Sequence, residues 1–228
     1  MSYKLFIANK NYSSWSMRPW VLMTVLGIPF EEHLHAFSDD NRAFFDFSPS
    51  GKVPCLHDGD HDEGLRVWDS LAIIETLAET HPQVWPENRA ARAWARSAAA
   101  EMHSGFHALR SQCSMNCGLR VQLFEISPSL QQDLDRLNTL WQQGLDRFGG
   151  PFLAGKAFTA VDALFAPVAL RAQTYGLPLH PAYVQQLLAL PAVQAWYQAG
   201  LAETWREPAH DRETLQHGTL LADLRAGA

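Results

Sequence analysis

Residues 11–20, Asn-Tyr-Ser-Ser-Trp-Ser-Met-Arg-Pro-Trp, set three hydroxyls between two apolar runs, Leu5–Ala8 and Trp20–Met23. A hydroxyl at the start of a helix can cap it by accepting a backbone N–H. It can also donate its own proton to an anion held at the positive end of the helix dipole. Two later stretches invite chemistry of the same kind. Lys52-Val53-Pro54 puts a cation and a proline at a strand entrance, where the missing N–H does least harm. A cis Val53-Pro54 peptide would turn the Val53 backbone toward solvent, ready to pair with an extended peptide ligand. Asp69-Ser70 stands where a strand gives way to a helix, which makes it an N-cap and, equally, a carboxylate-binding helix terminus.

Other spacings promise less. Asp58, Asp60, Asp62 and Asp69 approach the spacing of a calcium loop, but its glycine is displaced by one and the flanks read as strands, so the segment is a solvated hairpin. His103 and His107 are one helical turn apart, yet zinc needs a third ligand and the Glu of a His-Glu-x-x-His pair is missing. No metal is expected. Cys55, Cys113 and Cys117 are an odd number without a second pair at ligand spacing, which points to packed or free thiols in a reduced, cytoplasmic protein.

The elements that must position these residues follow from periodicity and punctuation. Leu5–Ala8 reads as a short buried strand, Arg18–Leu26 as a helix closed by Gly27 with Pro29 beyond, and Phe30–Ala36 as a strand. Asn41–Phe47 fits a helical turn. Val53–His57 and Leu65–Trp68 form a hairpin about the turn-rich Asp58–Gly64, and Ser70–Glu79 is a helix with Leu71, Ile74, Leu77 and Ala78 on one face. The order is βαβ, loop, ββ, α: a small α/β unit with a mixed sheet. Past His81-Pro82 the chain reads as all-helical, over 89–109, 130–148, 160–173, 183–190 and 192–201, and the polar stretch from Glu207 onward reads as a loosely held tail.

Composition narrows the function classes. With 228 residues, 47% hydrophobic and 18% charged, the chain can bury one or two cores. A net charge of −6 without a basic stripe argues against nucleic-acid partners. No apolar segment approaches the roughly 18 residues that read as a bilayer span, and Met1–Lys4 leads straight into a strand without a signal-peptide core, so no membrane partner or leader is expected.

Taken in order, the Ser-Pro-Ser-Gly-Lys-Val-Pro loop at 48–54, Asp69-Ser70-Leu71-Ala72-Ile73 at the next helix start and the helical second half resemble the cytosolic glutathione transferase family over nearly the whole chain. Thr159-Ala160-Val161-Asp162 resembles that family's capping box, which serves folding. The resemblance implies a thioredoxin-like N-terminal domain (1–82), a linker (83–89), an all-helical C-terminal domain (90–228), a homodimer, and glutathione as cosubstrate with a hydrophobic electrophile.

Ser13-Ser14-Trp15-Ser16-Met17-Arg18 is similar to the Ser-Ser-Cys-Ser-x-Arg signature of zeta-like members, and Ser14 also fits the theta-like Ser-x-x-x-Arg, so a serine-type bacterial member is expected. Ser14, or else Ser13, would donate to the glutathione sulfur; the alternative is that all three serines are turn and cap residues. Ser16 is expected to cap the helix. Arg18 is either an ion-pair partner or a ligand contact. Tyr12 and Tyr3 are rival donors. By the same resemblance Lys52 would meet the glycyl carboxylate, the Val53 backbone before Pro54 the cysteinyl unit, Asp69 the γ-glutamyl ammonium and Ser70 its carboxylate. Phe106 and Arg110, one turn apart on the first long helix of the second half, would line the electrophile pocket. Trp15 occupies the cysteine position of the signature, which counts against thiol transfer and against a zeta-like isomerase. A glutathione-dependent isomerase or peroxidase, and a non-catalytic protein of the same fold, are the other classes.

Overall fold

The computed structural model describes residues 3–38, 40–59 and 64–225. Strand β1 (Tyr3–Ala8) buries Tyr3, Leu5 and Ile7 on one face and turns Lys4 and Phe6 to the other, the period of two expected of a half-covered strand. Helix α1 (Ser14–Leu26) follows. It is apolar on nearly every side because the sheet, α2 and the helical half all pack on it. Gly27, at φ 65°, closes it by donating its N–H to the Met23 and Thr24 carbonyls, as the sequence predicts. Pro19 lies inside the helix and leaves the Trp15 carbonyl without its usual helical donor.

Strand β2 (Phe30–His35) pairs in parallel with β1, and a 3-10 turn spans Arg42–Asp46. Strands β3 (Cys55–Asp58) and β4 (Leu65–Trp68) pair antiparallel, and helix α2 (Ser70–Thr80) follows. The sheet order is β2-β1-β3-β4, the thioredoxin-like arrangement expected for this half. Of the acidic hairpin connection, residues 60–63, including Asp60 and Asp62, lie outside the described residues.

After a 3-10 turn at Pro82–Val84 come α3 (Arg89–Ser104), α4 (His107–Gln112), β5 (Leu119–Leu123), α5 (Pro128–Phe148), α6 (Ala160–Tyr175), α7 (Pro181–Leu188), α8 (Pro191–Ala202), α9 (Pro208–Leu215) and β6 (Gly218–Asp223). Helix α6 is the buried axis of this half and packs on α1, α3 and α7. Thr159 and Asp162 form the expected capping box at its start. No helix among the described residues is long and apolar enough to cross a membrane.

Three elements depart from expectation, the first being β5, a strand inside the half read as all-helical. The helix read as continuous over 89–109 breaks at Gly105-Phe106, where Phe106 takes a left-handed φ of 56°. Arg110 stabilises the break by donating to the Met102, His103 and Gly105 carbonyls, which the end of α3 leaves without helical donors. The C-terminal stretch is not loose. It forms α9 and then β6, which pairs antiparallel with β5, and buried Arg225 ties it down by donating to the Glu203 and Trp205 carbonyls and to the Tyr12 hydroxyl.

Gly144, mid-way along α5, lets two layers approach closely. A Cβ there would sit 2.4 Å from the Trp94 ring and 2.7 Å from the Leu153 carbonyl oxygen. Gly144→Ala gains about 1 kcal/mol of helix propensity, but overpacking against backbone costs about 1–3 kcal/mol. The substitution is expected to lower the urea midpoint; a raised midpoint would show that α5 can shift freely.

Candidate functional site

The start of α1 decides which serine is free. Ser13, not Ser16, is the N-cap: its Oγ accepts the Ser16 N–H at 3.4 Å and donates its own proton to Ser16 Oγ at 2.7 Å. Ser16, sealed from solvent, accepts in turn from the Ala8 N–H and so ties the helix to β1. Both hydroxyls are committed to local structure. Ser14 is not. As the first residue of α1 it lines a cavity of about 360 Å³, and its oxygen accepts Arg171 Nη2 at 3.3 Å, which leaves the hydroxyl proton for another acceptor. The rival tyrosines are both engaged elsewhere. Tyr12 donates to Asp211 on α9, with burial pushing its hydroxyl pKa up, and Tyr3 reaches Thr80 and His81 at the far end of β1.

Around this cavity stand Lys52, Val53, Trp15, Arg110 and Arg171, with Phe37, Phe44, Ser114, His210 and Glu213 among the remaining walls. A second cavity, of about 510 Å³, shares Trp15, Lys52 and Val53 with the first and adds Pro54, Asp69 and Ser70. The Lys52–Pro54 loop and the Asp69-Ser70 turn therefore line neighbouring hollows that share Trp15, Lys52 and Val53, the first of them beside Ser14. The Val53-Pro54 peptide is cis, and no described residue takes the Val53 amide or carbonyl.

Asp69 holds a φ of 77°, uncommon for a residue other than glycine. One carboxylate oxygen caps α2 by accepting from Leu71 N at 2.8 Å and Ala72 N at 3.4 Å; the other lies 3.3 Å from His103 Nε2. The N-cap role read from the sequence is therefore real, and Asp69 also lines the second cavity. Ser70 is fully buried, and its hydroxyl accepts Arg18 Nη1 at 3.3 Å.

Arg18 is 1% exposed, and among the described residues no carboxylate lies within ion-pair distance, which discards the ion-pair reading. Burial pulls its pKa well down, and the neighbouring Arg110 and Arg171 push the same way. Two guanidinium groups lie over the Trp15 ring, Arg18 at 4.1 Å and Arg110 at 4.6 Å from its centroid. The position where a cysteine was missed is thus a cation-stacking platform.

Of the two residues expected in the electrophile pocket, Arg110 lines the cavity, whereas Phe106 is packed into the core behind it. Arg110 N still donates to the Phe106 carbonyl at 3.2 Å, but Phe106 caps α4 from a left-handed backbone instead of continuing α3; the break also separates His103 on α3 from His107 on α4. Sequence reasoning missed Arg171 and the α9 wall. The signal for Arg171 was present: it is the lone charge inside Ala163–Ala172, a stretch otherwise apolar all round. Nothing local announced α9, whose His210 stacks on Phe37 at 4.8 Å and thereby closes one side of the cavity.

Residues 12–80 match the family model of the glutathione S-transferase N-terminal domain, and residues 120–199 match that of its C-terminal domain. The chain belongs to the glutathione S-transferase family. Glutathione S-transferase DHAR2 of Arabidopsis thaliana is 29% identical over 153 residues, 67% of this chain and 63% of that relative's own length. Among solved structures the glutathione S-transferase fold recurs in a Burkholderia glutathione transferase homologue with bound glutathione, at a TM-score of 0.64 and 24% identity over 88% of this chain and 98% of that one. It recurs also in glutathione transferase Omega 2S of Trametes versicolor, at 0.67 and 19% identity over 87% and 94%. The expected fold is thereby established.

Proposed function

We propose that this protein is a serine-type glutathione transferase in which Ser14 holds the glutathione sulfur as a thiolate for attack on a hydrophobic electrophile. One observation carries the reading: Ser14 is the first residue of α1, faces the cavity, and accepts from Arg171, so that its proton is free to donate. A free thiol has a pKa of about 8.5, and lowering it by about two units takes roughly 2.7 kcal/mol of preference for the anion. A hydrogen bond to a charged group contributes roughly 1.5–3 kcal/mol. The helix terminus and the buried guanidinium of Arg171 add to that. Ser14 is not the nucleophile. The thiol proton leaves to solvent, the sulfur lone pair forms the S–C bond, and the electrophile's leaving group departs with its electron pair, or its π pair moves to the adjacent atom.

In this reading Lys52 neutralises the glycyl carboxylate and the open Val53 backbone, set by Pro54, pairs with the cysteinyl unit. Asp69 meets the γ-glutamyl ammonium, and the Ser70 N–H end of α2 meets its carboxylate. Residues 1–82 hold the tripeptide, 90–228 supply the opposite wall through Arg110 and α9, and two copies assemble as the family resemblance implies. Phe106 acts only by backing that wall.

Calorimetry with millimolar glutathione tests the binding half: heat of binding is expected, and its absence would favour a non-catalytic relative. Asp69→Asn keeps the cap and tolerates the positive φ but removes the charge. It is expected to weaken glutathione about tenfold with little change in melting temperature. Unaltered affinity would remove Asp69 from the site.

A further inference from the structure

Three guanidinium groups converge on Trp15 and Ser14 from α1, α4 and α6, and among the described residues none has a carboxylate within ion-pair distance. Buried charge without a partner is costly. Arg18 is sealed behind Trp15 and cannot reach the cavity. Arg110 and Arg171 do line it. Arg110 spends Nε and Nη2 on the carbonyls at the end of α3, and Arg171 spends Nε on the Cys113 carbonyl at 2.8 Å and Nη2 on Ser14. In both, Nη1 has no partner among the described residues, yet neither Nη1 is sealed from solvent. Two rigidly held guanidinium edges therefore open on one hollow.

The acids within electrical reach are few. Asp133 acts on Arg110 from the α5 side, where its carboxylate accepts the Leu109 N–H, and Glu213 on α9 lines the cavity and acts on Arg171. Against Glu213 the cavity wall carries Lys52, Arg110 and Arg171. With Lys52 given to the glycyl carboxylate, Glu213 and a thiolate at Ser14 match Arg110 and Arg171 in formal charge, so what the wall still offers is the two unpartnered Nη1 donor edges. Around the guanidiniums the walls are aromatic: Tyr12, Trp15, Phe37 and Phe44.

Resting on the glutathione-transferase reading above, we infer that the second substrate is an electrophile with an aromatic or otherwise apolar body and a carboxylate, the carboxylate being held by Arg110 and Arg171. A planar carboxylate matches the donor edge of a guanidinium better than a neutral carbonyl does. The apolar body then lies against the aromatic wall, with its reactive carbon turned toward Ser14. The second substrate is thus apolar over most of its surface and anionic at one end.

A test independent of turnover uses an unreactive pair, 3-phenylpropanoate and 3-phenylpropanamide, titrated calorimetrically into the full chain with and without glutathione. The acid is expected to bind at least tenfold tighter than the amide, and Arg110→Gln is expected to bring that ratio close to one. Arg110→Lys, which keeps the charge but loses the fork, should restore part of it and guards against a variant that merely loosens the α3–α4 corner. Equal affinity for acid and amide in the wild type would overturn the inference, as would an acid preference unchanged in Arg110→Gln. If glutathione does not bind, the transferase reading falls, while the ratio of acid to amide still decides whether the cavity recognises carboxylates.

Discussion

Ser14→Ala is expected to lose about 10–30-fold in kcat/KM for glutathione at pH 7 while binding glutathione almost as well as the wild type. The magnitude follows from ionisation. With a bound-thiol pKa near 6.5, about three-quarters of the sulfur is thiolate at pH 7; at the free value of about 8.5, about 3% is. The sign with pH follows too. Ser14 lowers the pKa of an acid, so its fold advantage is greatest below the lower value, about 100-fold for two units, falls between the two, and closes above the higher one, where both enzymes hold thiolate. The deficit of Ser14→Ala should therefore shrink steadily as pH rises from about 6.5 and be nearly gone by about pH 9. A deficit independent of pH would mean that Ser14 positions substrate without stabilising the anion. Because Arg171 donates to Ser14 Oγ, it also fixes the direction in which the serine's own proton is offered, and burial already pulls the Arg171 pKa down to about 10.

Asp162→Ala carries the largest expected cost in stability. The carboxylate is fully buried at the start of α6, where it accepts from Leu153 N and Thr159 N, each at 3.0 Å, and from the Tyr183 hydroxyl at 2.8 Å. Alanine would leave three buried donors without an acceptor, each worth roughly 1–3 kcal/mol. Relief of the buried charge offsets part of this, for a net loss of about 3–5 kcal/mol, readable as a shift in urea midpoint at constant slope. A loss below about 1 kcal/mol would show that water or a rearranged loop replaces the carboxylate.

The same site has a pH signature. Burial pushes the Asp162 pKa up to about 6 despite its hydrogen bonds. The folded value lies above the unfolded one, so the folded state binds the proton more tightly, and stability from this group grows as pH falls from about 6 toward 4. Asp162→Asn should lack that gain.

How much of this was legible beforehand tracks how local the cause is. Gly27 at the end of α1, the Thr159–Asp162 box, the proline before β3 and the Asp69 cap each act within a few residues, and each stands where the sequence puts it. The competition among Ser13, Ser14 and Ser16 was also local, yet it could not be resolved from residue type. It turns on tertiary surroundings: Ser13 gives its proton to Ser16, Ser16 is sealed with its oxygen on the Ala8 N–H, and Ser14 opens on the cavity with its oxygen held by Arg171, 157 positions away. The break at Gly105-Phe106 was hidden because the alanine-rich pattern runs on without a proline; carbonyls satisfied by Arg110 make the break affordable, and that contact is tertiary. The polar tail misled for the complementary reason. Its polar groups are not solvated but bonded, through Asp211, Glu207 and Arg225 on Tyr12.

The central claim, that the Ser14 hydroxyl holds the sulfur ionised, is tested most directly by the ultraviolet thiolate absorbance of protein-bound glutathione titrated against pH in the wild type, Ser13→Ala and Ser14→Ala. The predicted result is a midpoint well below that of free glutathione in the wild type and in Ser13→Ala, displaced upward by one to two pH units (order of magnitude, about 1.4–2.7 kcal/mol) in Ser14→Ala alone. An unmoved midpoint in Ser14→Ala, or a displacement confined to Ser13→Ala, would contradict it.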